Sequence, residues 1–129
     1  MRSREVLLLG DMIDAAERAR TLVADSDIES ISADRTWQDA LLWNFTVLGE
    51  AASQLSDPFK AKHPEVDWSR PQGLRNRIVH GYWSIDLDVL VATASDDLPG
   101  FVDQLRAVLD QLKDDEGTTE AESPGASAS

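Results

Sequence analysis

Trp68-Ser69-Arg70-Pro71-Gln72-Gly73-Leu74-Arg75-Asn76-Arg77-Ile78-Val79-His80-Gly81-Tyr82-Trp83-Ser84-Ile85-Asp86 is the stretch on which the reading of this chain turns. Ser69 suits a helix N-cap, Pro71 a first turn, and Gly81 the left-handed residue after a helix end. Those signals predict a helix over about Arg70 to His80, docked by Leu74, Ile78 and Val79. The stretch also holds three of the nine arginines, one of two histidines, the only tyrosine and two of four tryptophans. Any chemistry this chain performs belongs here.

Working outward, the flanks read as amphipathic helix. Upstream, Val6, Leu9, Met12, Ile13, Ala16, Ala19 and Val23 recur at three- and four-residue steps, predicting a first helix over 4–24. Residues 25–32 read as a short polar connection. A second helix is expected from about Thr36 to Leu55, opened by a weak capping box at Thr36-Trp37-Gln38-Asp39. Trp37, Leu41, Phe45, Leu48, Ala52 and Leu55 form its stripe. Ala40, Trp43, Val47 and Ala51 broaden that stripe, as in a central bundle helix or one that also meets a dimer partner. Asp57-Pro58 ends it, and Phe59 to His63 suits one helical turn. Downstream, Ser84 or Asp86 caps a last helix reaching about Lys113. Pro99 interrupts its apolar stripe, so a kink is expected near Ser95–Leu98. There is no alternating strand pattern and no repeat. The fold expected is an all-α, up-and-down bundle of four main helices over 1–113, with a disordered acidic tail over 114–129.

Composition narrows the function classes. The 129 residues suit one domain. The absence of cysteine excludes disulfides, thiolate nucleophiles and cysteine metal sites. Val6-Leu7-Leu8-Leu9 is too short to span a bilayer, so a cytoplasmic protein with no membrane partner is expected. Net charge is −12, of which 114–129 carry −5, leaving −7 on 1–113. An acidic body argues against nonspecific duplex binding. Any nucleic-acid reading therefore rests on the local charge of Arg70, Arg75 and Arg77.

Each helical residue turns by about 100°. Asn76 and His80 share a face, with Arg77 beside them. Arg75 stands about 140° from His80 around the axis. Those two converge only if the helix end distorts or a partner surface completes the site. Imidazole moves protons near neutral pH, and a guanidinium fork holds phosphate. The combination, with no metal cluster and no glycine-rich phosphate loop, suits RNA cleavage in which the substrate's own 2′-hydroxyl attacks its phosphodiester. An Arg and a His on one helix also occur as plain surface or interface residues, and Trp68, Tyr82 and Trp83 as packing residues.

The run Arg75-Asn76-Arg77-Ile78-Val79-His80-Gly81-Tyr82 resembles the Arg-x4-His-x-Tyr signature of the HepT-like toxins, within the HEPN ribonuclease superfamily. Leu48-Gly49-Glu50-Ala51-Ala52, Trp68, Trp83-Ser84-Ile85-Asp86 and Asp97-Leu98-Pro99 add to the likeness, which covers residues 4–112. The resemblance implies a four- to five-helix bundle forming a homodimer, with two motifs meeting at one cleft. It also implies a metal-independent endoribonuclease, without cofactor, acting as the toxin of a type VII toxin–antitoxin pair. Arg75 and His80 would then be catalytic and Asn76 supporting, with Arg77 and Glu50 as further candidate supporting residues. The antitoxin, an MntA-like nucleotidyltransferase, would use ATP to place AMP on Tyr82. Glu50 is expected to pair with Arg75 or Arg77, or to face solvent. His63 is expected to be exposed and inert. The rival reading is a non-catalytic helical partner or substrate-binding subunit of a nucleotidyltransferase, which the acidic body slightly favours. A second rival is an RNA-binding module that has lost cleavage.

Overall fold

The computed structural model describes residues 3–24, 26–81 and 85–121, with side chains as far as Asp115. It is all-helical among the described residues: α1 (Arg4–Ala24), α2 (Ile28–Ala33), α3 (Arg35–Gln54), α4 (Asp57–Lys62), α5 (Ser69–Gly81), α6 (Leu87–Ala92), a π-helical turn (Thr93–Asp97) and α7 (Leu98–Ala121). The bundle expected from periodicity is present. α1 packs against both α3 and α7, and α3 carries α5 on its other side. Leu9 and Met12 of α1, Leu41 and Phe45 of α3, and Val102 and Leu105 of α7 are fully or almost fully buried. Stripes spaced at three and four residues bring these side chains to one interior, where each contributes on the order of 1.5–3 kcal/mol.

Several local expectations change. The connection at 25–32 contains α2. Asp27 caps it by accepting from the Ser30 N–H, and Ile31 is fully buried. A helix of six residues cannot persist alone; its cap and the burial of Ile31 hold it. α3 is capped by Asp34, whose carboxylate accepts from the Trp37 N–H, so the capping box at Thr36 does not form. The single turn after Asp57-Pro58 is α4, capped by Ser56. Ser69 is the first residue of α5 rather than its cap, and its hydroxyl donates to Asp67. Gly81 is still helical, and no described glycine has a positive φ.

The kink expected before Pro99 takes the form of the π-helical turn. The Leu98 N–H donates to the Thr93 carbonyl, five residues back. Pro99 has no N–H to offer, and its ring crowds the carbonyl four residues earlier, so widening the preceding turn relieves both. α7 runs to Ala121, past the end expected at Lys113. The rest of the tail, 122–129, lies outside the described residues. Among the described residues, no helix is long and apolar enough to cross a membrane.

Candidate active site

Arg75 is placed by a glycine on the neighbouring helix. A Cβ at Gly49 would collide with the Arg75 Cβ and the Pro71 carbonyl oxygen. With only hydrogen there, α5 closes onto α3 and lays the Arg75 stem across Gly49. The guanidinium then lies beside the next residue of α3, Glu50. Arg75 Nη2 stands 3.2 Å from Glu50 Oε2, and Arg75 Nη1 donates to Asn76 Oδ1 at 3.0 Å. Glu50 therefore pairs with Arg75, which answers the choice left open between Arg75 and Arg77. Arg75 Nε is buried without a hydrogen-bond partner. A guanidinium has five N–H donors, so donors remain for an anion.

The polar contacts extend beyond the motif. Arg4 Nη2 donates to Gln54 Oε1 at 3.0 Å, and Gln54 Nε2 approaches Glu50 Oε1 at 3.5 Å. A string of five side chains, Arg4–Gln54–Glu50–Arg75–Asn76, thus ties α1, α3 and α5 together at the surface. Arg4 and Gln54 were not legible as site residues. The one signal for Gln54 was its position one helical turn after Glu50.

The remaining motif residues sit elsewhere on α5. Ile78 is buried against the core, while Asn76, Arg77, Val79 and His80 are exposed. Taking the buried side of α5 as reference, Arg75 stands at the edge facing α3. Arg77 stands at the opposite edge, where it lines a groove between α5 and the α6–α7 arm. His80 points outward between those edges, at the last turn of the helix. The structure thus brings Arg75, Asn76 and Glu50 together, while His80, one turn after Asn76, makes no hydrogen bond or ion pair with them. Tyr82 and Trp83 lie outside the described residues.

The other singled-out residues are structural. Trp68 is buried; its Nε1 donates to the His63 carbonyl at 3.0 Å, and its ring packs on Phe59. His63 is not exposed as expected. Its side chain is only 14% accessible, its ring tilted against Phe59 at 4.9 Å and its Nδ1 3.6 Å from Glu65. Among the described residues, no three His, Asp or Glu side chains converge to hold a metal ion.

Residues 12–108 match the family model described as "Ribonuclease HepT-like". The chain belongs to this family. The HepT-like match runs from the middle of α1 to the middle of α7 and includes every described residue from Gly49 to Gly81. A protein of Thermococcus cleftensis named "Probable ribonuclease HepT" is 29% identical over 91 residues, 70% of this chain and 83% of that protein. A protein of Methanocaldococcus jannaschii named "Putative RNase MJ1380" is 28% identical over 100 residues, 77% of this chain and 92% of its own. No solved structure gives a significant match. Membership of the HepT-like family supports a ribonuclease function for this chain.

Proposed function

We propose that this chain is a metal-independent endoribonuclease toxin of a type VII HepT/MntA-like pair, working as a homodimer with one RNA cleft. The observation that carries this reading is the placing of the motif in a ribonuclease-family chain. Arg75 is clamped at one edge of α5 by Glu50 and Asn76, while His80 stands exposed at the end of the same helix. Two copies of that face, brought together, supply both a phosphate clamp and two imidazoles. One His80 takes the proton of the 2′-hydroxyl as its oxygen bonds to phosphorus. The other donates a proton to the 5′-oxygen as the P–O5′ bond breaks. Arg75 stabilises the charge on the non-bridging oxygens. The products are a 2′,3′-cyclic phosphate and a 5′-hydroxyl. Trp43 and Val79, 65% and 48% accessible, are large apolar side chains on α3 and α5 and favour a partner surface there.

For regulation, the partner nucleotidyltransferase joins the Tyr82 oxygen to the α-phosphorus of ATP, breaking the α–β bond and releasing pyrophosphate. Adenylate beside His80 would fill the cleft with phosphate and base. This step rests on the resemblance of Arg75 to Tyr82 to the Arg-x4-His-x-Tyr signature, in which Tyr82 is the matching tyrosine.

The test is RNA cleavage and host growth with wild type and His80→Ala, in excess EDTA. Wild type is expected to cut RNA, with His80→Ala slower by about 10²–10⁴-fold, the usual worth of a general acid or base. An inert wild type, or a fully active His80→Ala, would hand the motif to the non-catalytic partner reading. Mass spectrometry after incubation with the nucleotidyltransferase and ATP checks for AMP on Tyr82. Modification persisting in Tyr82→Phe would refute that assignment.

A further inference from the structure

We infer that the groove between α5 and the α6–α7 arm binds one unpaired nucleobase of an RNA substrate, a proposal that rests on the ribonuclease reading and deepens it. The groove encloses about 730 Å³. Its α5 wall is Arg70, Gly73, Leu74 and Arg77, one stripe at helical spacing. His80 and Gly81 follow Arg77 by three and four residues on the same side of α5, one turn beyond the groove's lining. Phe45 and Leu48 of α3 floor it, and Phe101 of α7 faces α5 across it. Asp96 and Asp97, carried on the π-helical turn, line the far rim.

This lining matches a base better than a phosphate chain. Arg70 is already paired with Asp97 at 2.7 Å across the groove, which leaves Arg77 as the one arginine there without a hydrogen bond or ion pair among the described residues. Four carboxylates line the groove, Glu65, Asp67, Asp96 and Asp97, and they would repel a run of phosphates. A base instead offers an apolar face to Phe101 and Leu74, and its own phosphate to Arg77. Its exocyclic amine can donate to Asp96, which likewise has no partner among the described residues. Only an unpaired base exposes that edge. Adenine, cytosine and guanine carry such an amine. Uracil does not, and its N3–H is flanked by carbonyl oxygens that a carboxylate repels.

Gly73 allows a test that spares the fold. A Cβ there meets nothing within 4 Å, so Gly73→Leu fills the groove and replaces a poor helix former with a good one. The probes are fully 2′-O-methylated single-stranded RNAs, which bind without being cut, in mixed-sequence and all-uracil versions. Wild type is expected to prefer the mixed sequence. Gly73→Leu should lose roughly tenfold on it, about the worth of one stacked base, with a salt dependence changed by no more than the one phosphate at Arg77. Asp96→Asn should erase most of the preference over uracil. Wild-type affinity and preference in Gly73→Leu would overturn the proposal. So would a salt dependence shallower by more than the one phosphate at Arg77, which would assign a run of phosphates to the groove, or a change of oligomeric state, which would assign it to a second copy. With unmethylated RNA the two readings separate. Binding without cleavage keeps the base site and sinks the nuclease; cleavage with intact preference in Gly73→Leu does the reverse. A wild type that binds no RNA sinks both.

Discussion

At the scale of single residues, Gly49 and Glu50 do different jobs for Arg75. Gly49 is a steric requirement. In Gly49→Ala the new methyl meets the Arg75 Cβ and the Pro71 carbonyl. α5 must then lift from α3, at a cost of about 1–3 kcal/mol, readable as a lower urea midpoint. Glu50 orients. Its pair with Arg75 is part-exposed, 48% and 32% accessible, so Glu50→Gln should change stability by less than about 1 kcal/mol. The guanidinium would nevertheless lose its anchor, and kcat should fall roughly tenfold with melting unchanged. Unchanged kcat in Glu50→Gln would show that Asn76 alone suffices. The pairing of Glu50 was open from sequence because α3 and α5 are joined by fourteen intervening residues, 55–68. Helical arithmetic gives angles within a helix but not the register between two.

At the scale of elements, the long helices were legible and the short devices were not. α1 begins and ends where its apolar period does. α2 was missed because six residues with one buried side chain carry no period. Its stability rests on the Asp27 cap, and that has a pH signature. Hydrogen bonding from the Ser30 backbone N–H, then from the Ser30 side chain, holds the Asp27 carboxyl below its usual 3.8. A carboxyl depressed in the folded state stabilises at pH above its unfolded value, and the contribution fades as pH falls through the folded value. Asp27→Ala should therefore lower the melting temperature near neutral pH, with the difference from wild type vanishing in strong acid. A constant difference across that range would mean that lost packing, not the cap, is responsible. The π-helical turn was half legible: Pro99 announces an interruption, but not that the chain widens rather than bends.

At the scale of the whole molecule, the bundle leaves Trp43 exposed two turns before Glu50 on α3. That places an apolar side chain on the same flank as the Arg75 clamp, where the proposed partner would sit. Trp43→Lys should leave monomer stability within about 0.5 kcal/mol, as for other surface changes. It should shift sedimentation from dimer to monomer and remove cleavage in parallel. A dimer that survives the change would move the interface to another face.

The sequence by itself determined the helical class, the four long helices, the buried stripes and the placing of Arg75, Asn76 and His80 on one helix. These are local properties, set by a period of about 3.6 residues along the chain. Tertiary structure alone decided that Glu50 holds Arg75 and that Arg77 faces a groove instead. It also decided that His63 packs against Phe59 and that Gly49 must stay a glycine. Each of these depends on how closely one helix approaches another, and that distance is set by side chains far apart in sequence meeting in a close-packed interior.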